Sequence, residues 1–275
     1  MVKKILLWII AFIFTLVMAY YQRVTGPTYP VVGEKSVYGS RVSFNFPRSH
    51  GGKGDQQISI FIEKDGVKAY LYYKRYRVKE KWKKLEMKKM GRDFAAFLPH
   101  QPPAGKLIYF IEVIKNGKSV KVPDKPVVIR FKGSVPFQIL LPHIVFMFLS
   151  LFFATRILLA LFFKEEYNYL VYLTTIFLFI GGGILGPIVQ KFAFGSYWTG
   201  VPFGWDLTDN KTLISLIFWI VALFFTVKKR KNKLATVIAI VVMYLVFLIP
   251  HSTLGSEYDY SKGKIITGNV EEVST

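Results

Sequence analysis

Five apolar runs constrain this chain more than any other feature, because roughly 17–25 consecutive apolar residues are enough to cross a hydrocarbon core. They cover residues 5–19, 135–163, 169–188, 213–227 and 234–249. With 52% hydrophobic residues and a mean hydropathy of +0.34, the composition fits a membrane protein and excludes a disordered or low-complexity chain. The first run follows Lys3 and Lys4 and reads as an N-terminal signal anchor over residues 1–22. Val17-Met18-Ala19 would also serve as a cleavage site, which leaves a signal peptide as the other reading.

The formal charge of +20 would point to nucleic acid in a soluble protein, so its position along the chain decides its meaning. Lys3 and Lys4, Arg156 with Lys164, and the basic run 228–233 all fall on one side if the chain starts inside and crosses five times. Basic short loops stay in the cytoplasm, so that side is inside and these clusters have a topological explanation; a nucleic-acid partner is not expected. The expected location is the cytoplasmic membrane, with segment 22–134, loop 190–212 and the tail 256–275 on the outer side. With no cysteine in the chain, disulfides, thiolate metal sites and covalent haem attachment are excluded.

Between the first and second runs the hydrophobic period changes from helical to alternating. Runs at 41–46, 57–62, 69–74, 94–98, 107–113 and 127–131 alternate polar with apolar residues, and turns are expected at Lys64-Asp65-Gly66, at 102–105 and at Lys115-Asn116-Gly117. This pattern predicts an antiparallel β-sandwich over 28–134, similar to immunoglobulin-like or fibronectin-type modules. The fold class expected is thus a membrane α-helical bundle of five transmembrane helices carrying an extracytoplasmic immunoglobulin-like β-sandwich, with residues 135–255 forming a four-helix domain. The lysine-dense stretch 79–89, with Trp82 and Met87 interleaved, reads as a solvated strand face near lipid headgroups, and His50 and His100 as surface residues in turns.

The chemistry-bearing residues gather at the outer ends of the helices. His143 follows Pro142 near the start of the second run, and His251 follows Pro250 at the end of the last. Between them an external loop carries Phe194, Tyr197, Trp198, Phe203 and Trp205 among glycines, with Asp206 behind Trp205. Imidazole nitrogen is a good ligand for haem iron, so two histidines on facing helices can fill both axial positions. Aromatic rings offer flat apolar surface to a porphyrin, and Lys191 and Lys211 could meet its propionates. An interfacial aromatic belt explains the rings singly but does not call for the histidines. Three further features have structural explanations: Asp209 and Asn210 as caps of the helix that follows, Gly181–Gly186 as close helix contacts, and Arg156 as a snorkelling cation.

The segments Gly195-Ser196-Tyr197-Trp198 and Gly204-Trp205-Asp206, followed by Lys211 to Trp219, resemble the tryptophan-rich signature of the cytochrome c assembly family of haem-handling membrane proteins. The segments around His143 and His251 resemble the histidine-bearing stretches that flank that signature, and the likeness covers roughly residues 136–260. Phe194 stands where the family has its first tryptophan, and residues 199–203 are inserted before Gly204. The resemblance implies haem as cofactor, bound by His143 and His251 against Tyr197, Trp198 and Trp205, with an apocytochrome or other membrane assembly subunits as partners. Two other classes fit the residues: a membrane-anchored interaction or structural subunit with a partner-binding β-sandwich, and a bis-histidine b-type electron carrier. No residue set for a bond-making step is evident.

Overall fold

The computed structural model describes residues 2–63, 66–229, 233–250 and 255–267. Two compact units share the chain: a helical unit of residues 1–27 and 135–255, and a β unit of residues 28–134 together with 256–275. The expected turn at Lys64-Asp65 lies outside the described residues.

The β unit is built from two five-stranded sheets. One orders its strands as β1 (Val31–Val37), β2 (Ser40–Phe46), β4 (Gln56–Ile62), β8 (Asp93–Leu98) and β7 (Lys88–Met90). The other runs β3 (Ser49–Gly51), β10 (Lys118–Lys132), β9 (Lys106–Lys115), β5 (Lys68–Arg75) and β6 (Lys83–Glu86). Pairing is antiparallel throughout except between β3 and β10. Alternation decides which residues are buried: Ile58, Ile60 and Ile62 from one sheet meet Leu107, Tyr109, Ile111 and Val113 from the other in a single hydrophobic core. Asn116 and Gly117 take positive φ in the β9–β10 turn, as a tight hairpin requires. The six strands expected from alternation are all present. The strands β1, β3, β6 and β7, all at or next to sheet edges, and the first half of β10 are additional; β3, β6 and β7 are short, and β6 and β7 are lysine-rich, which hides the period.

Residues 256–267 are part of this β unit and form a hairpin, β11 (Glu257–Asp259) with β12 (Lys264–Ile266). Buried Arg130 donates from Nη2 to the Ser256 carbonyl at 2.5 Å, the Tyr258 amide donates to Ala104 at 3.1 Å, and Lys106 Nζ meets Glu257 at 2.8 Å. The described part of the expected external tail is thus a docked segment.

The helical unit contains α1 (Val2–Thr25), α2 (Phe137–Phe163), α3 (Asn168–Phe194), α4 (Leu207–Val227) and the shorter α5 (Lys233–Leu248). The first four are long and apolar enough to cross a membrane. α1 buries Leu7, Ala11, Thr15 and Met18, a stripe at helical spacing, and sets Trp8 against Phe152 and Phe153 of α2. α3 extends six residues beyond the apolar run that announced it. A π-helical stretch, Phe179–Leu185, absorbs the triple glycine and the missing N–H of Pro187, and the helix stops only where Gly195 takes a left-handed conformation (φ 83°). α4 starts six residues before its apolar run because Asp206 caps it, accepting the Thr208 amide at 2.8 Å. The connecting loop therefore shrinks from the expected 190–212 to residues 195–206, and the cap is Asp206 rather than Asp209 or Asn210.

Side-chain bonds define the two ends of this unit. At one end Lys3 lies over the Phe163 ring at 4.5 Å, and Arg156 pairs with Glu165 while its guanidinium faces Trp8 at 5.2 Å. Arg156 is buried in this pairing, where a snorkelling cation was expected, and it holds the Glu165 carboxyl below the usual range. At the opposite end Gln22 donates to the Phe247 carbonyl at 2.6 Å and Lys211 to the Ile249 carbonyl at 2.7 Å.

Candidate functional site

The end of the helical unit that carries Gln22 and Lys211 also carries the aromatic loop. Asp209, in the first turn of α4, accepts the Thr199 amide at 2.6 Å, the Gly200 amide at 3.0 Å and the Thr199 hydroxyl at 3.2 Å. Asn210 accepts the Val201 amide at 2.7 Å, and Gln190 of α3 donates to the Thr199 hydroxyl at 2.6 Å. Gly200 is required here, since a Cβ at that position would stand 2.6 Å from Asn210 Oδ1 and 2.7 Å from Asp209 Cβ. Loop 195–206 is therefore fastened to two helices. Asp206 contributes by capping α4, while Asp209 and Asn210 fix the course of the loop.

That fastening leaves the large rings outward. Phe203 is 81% exposed, Trp205 73% and Tyr197 58%. Trp198 is half-buried, and its indole N–H donates to the Val201 carbonyl at 3.1 Å. Lys191 donates to the Gly195 carbonyl at 2.8 Å and lies 5.2 Å from the Tyr197 ring. Lys211 is buried with its ammonium on Ile249. Neither lysine thus presents a bare ammonium beside the loop.

His143 sits in the second turn of α2, half-buried, with Nδ1 2.9 Å from the Gly181 carbonyl. That carbonyl belongs to the π-helical stretch, and Gly186, which follows it, lies beside the imidazole. If Nδ1 donates to Gly181, Nε2 is the unprotonated nitrogen able to take a metal, an arrangement typical of ligating histidines. His251 lies outside the described residues. The chain leading to it, Ile249, is held by Lys211 at the loop-bearing end. Among the described residues no group of three or more His, Cys, Asp or Glu is placed to hold a metal ion.

Two features of this region are not visible in the sequence pattern. Lys211, Ser215 and Trp219 form one buried stripe along α4, and Ser215 Oγ and Trp219 Nε1 have no hydrogen-bond partner among the described residues. Also, the carbonyl bonded by His143 comes from a glycine that the sequence suggests only as a helix contact. The combination of three glycines with a following proline was the available signal for a π-bulge, which often marks a functional site.

In the β unit His50 uses both ring nitrogens, on Gln56 at 2.6 Å and on the Gly54 carbonyl at 2.8 Å. Its ring is 6.5 Å from that of His100, and both stand against Phe131.

No family model matches this chain, and no curated protein matches it. Among solved structures, one described as "Crystal structure of Br derivative BhCBM56" is similar to it at 9% identity, covering 38% of this chain and 92% of that one with a TM-score of 0.24. A likeness of that size bears on neither fold nor function.

Proposed function

We propose that this chain is a multi-pass membrane protein that holds or relays haem at the outer face of the cytoplasmic membrane, with its β unit, an immunoglobulin-like sandwich, on the same side. The observation that carries the reading is His143: its Nδ1 contact with Gly181 leaves Nε2 as the ligand nitrogen, in the second turn of the helix that starts at the end carrying the fastened aromatic loop. His251 is the second axial ligand. The resemblance to the cytochrome c assembly family supports the same pairing, and an apocytochrome or another assembly subunit would receive the cofactor.

The residues fit the group in part. The Gly181 carbonyl stands 2.9 Å from His143 Nδ1, as a backbone partner does beside a ligating imidazole, and Trp198 is held by its bond to Val201. Lys191 and Lys211 are committed to backbone carbonyls, so propionates would have to draw on other donors. Haem would supply a redox-active iron. The protein's own work is to orient an imidazole, offer apolar ring surface and keep the loop rigid.

Membrane insertion is supported by the apolar exterior of the helices, and the connectivity then bears on the number of crossings. Segments 28–134 and 256–267 belong to one unit, so in a membrane the helices between them would cross an even number of times. α2, α3 and α4 are long enough to cross, which makes α5 the fourth span. Its 16 residues reach about 24 Å, short of a ~30 Å core, a mismatch that bilayer thinning accommodates.

An absorption spectrum of detergent-purified protein from haem-replete cells tests the reading. The wild type should show a low-spin Soret band. His143→Ala should shift it towards high-spin, and Trp198→Ala should lower occupancy without changing ligation. A wild-type protein without a Soret band would favour the second reading, a membrane-anchored interaction subunit. The outward Phe203 and Trp205 are compatible with that reading as an interfacial belt.

A further inference from the structure

The β unit carries an open groove of about 330 Å³ that the haem reading does not use, lined by Tyr72, Trp82, Phe110, Glu112, Lys121 and the two prolines of the β10 bulge, Pro123 and Pro126, beside Asp124. Its floor is aromatic. Tyr72 of β5 and Phe110 of β9 are register partners whose rings stack in parallel, 5.1 Å apart with 2° between planes. Trp82 stands edge-on to Phe110 at 4.9 Å and is 37% exposed, forming a corner above the floor. This is an unusual use of large rings on a sheet face turned away from the hydrophobic core. Phe110 is itself only 7% exposed, so Tyr72 and Trp82 are the rings that can meet the C–H-bearing face of a pyranose, and neighbouring charged side chains can bond its hydroxyls.

Charge narrows the class of sugar. Lys121 lies over Phe110 at 5.0 Å, Lys74 over Trp82 at 5.4 Å, and Lys84 over Tyr70 at 3.9 Å and Tyr72 at 5.5 Å. The one acid of the groove beside these cations is Glu112, since Asp124 is paired with Lys35. Glu112 makes no ion pair among the described residues and is the register partner of Lys121, so an acceptor and a cation stand side by side across the strands. The bias extends over the whole unit: residues 28–134 hold 23 Lys and Arg against nine Asp and Glu. The rule that keeps basic residues in short cytoplasmic loops does not account for charge in a segment of this length. An anionic partner does.

We propose that this groove binds an acidic carbohydrate, with a sugar ring stacked on Tyr72 against Trp82, its anionic group on Lys121 and Lys84, and a hydroxyl donating to Glu112. The assignment stands on the β unit alone and survives if no haem is bound.

Titration of the detergent-purified full-length protein with hexagalacturonate, followed by Trp fluorescence and calorimetry, tests it, with maltohexaose as the neutral comparison. The wild type should bind the acidic hexamer at least about tenfold more tightly than the neutral one. Trp82→Ala should weaken binding about tenfold, and Trp82→Tyr should restore most of it. Lys121→Ala should weaken binding several-fold, whereas Lys118→Ala, the same charge change on the exposed β9–β10 hairpin, should leave it within twofold. Three results would overturn the proposal: no binding of the acidic hexamer; equal losses in Lys121→Ala and Lys118→Ala, which would indicate attraction to net charge only; or tighter binding of a DNA duplex or phosphatidylserine vesicles that ignores Trp82.

Discussion

Both units bury an apolar cluster, and they differ in what they show to their surroundings. The β unit hides aliphatic and aromatic side chains and shows lysines, as a domain folded in water does. The helical unit leaves Ile217, Ile220, Val221 and Phe224 of α4 exposed and hides Ser150, Thr155, Thr174, Thr175, Ser215 and Thr236. Thr155, Thr174 and Thr175 satisfy their hydroxyls on carbonyls one turn back, at 2.8 Å each. An apolar exterior over an interior that includes satisfied hydroxyls is the pattern expected of helices surrounded by hydrocarbon.

Matched substitutions can break this comparison. Ile111→Ala in the sheet core should destabilise the β unit by about 4 kcal/mol, while Ile217→Ala on the outside of α4 should stay within about 0.5 kcal/mol. Pulse proteolysis of the purified protein reads both. Similar losses at the two positions would mean that the α4 exterior is packed by protein. The reverse pair is Ile217→Asp and Phe97→Asp, both exposed. The first should oppose insertion by about 3 kcal/mol and deplete the protein from membranes, and the second should be close to neutral.

How far this contrast could be read from the sequence depends on period. The alternation of 57–62 and 107–113 set the core of the β unit directly, and apolar length located every helix, though three of them run six residues past an expected end. The ends of α3 and α4 were illegible because polar and glycine residues continue both helices, through a π stretch in one and behind the Asp206 cap in the other. The docking of 256–267 was also hidden. It depends on Arg130, Lys106 and Ala104, more than a hundred residues away, and on single hydrogen bonds that leave no periodic trace. At the candidate site, ring and histidine types were legible. The fastening of loop 195–206 by Asp209 and Asn210 was not, because a carboxylate near a helix start reads first as a cap.

The docked segment supplies finer tests. Lys106 is pulled below its ordinary value near 10.5 by burial, which Glu257 opposes. Removing that partner with Glu257→Gln should destabilise the β unit by about 2 kcal/mol at neutral pH. A lysine with a folded pKa below its unfolded one destabilises the fold while it is charged. The deficit should therefore shrink as pH rises through the folded value, and a deficit that is flat with pH would exclude this cause. The smallest effect is expected at Tyr260, whose hydroxyl bonds Gln101 at 3.0 Å and the Lys106 carbonyl at 3.2 Å. Burial pushes it up from 10.0 to about 12. Its contribution is complete below pH 10 and lost as pH rises towards 12, so the denaturation midpoint of the wild type should fall more across that window than that of Tyr260→Phe.

The central claim is that a membrane bundle returns residues 256–267 to the side that holds the β unit. Because the chain has no cysteine, single cysteines report position without background. Lys118→Cys, Lys262→Cys and Lys229→Cys, each labelled in intact cells with a membrane-impermeant maleimide, test the claim most directly. The account predicts labelling of the first two from outside, and of Lys229→Cys only after permeabilisation. Labelling of Lys118→Cys and Lys262→Cys from opposite sides, or of Lys229→Cys together with them, would contradict it.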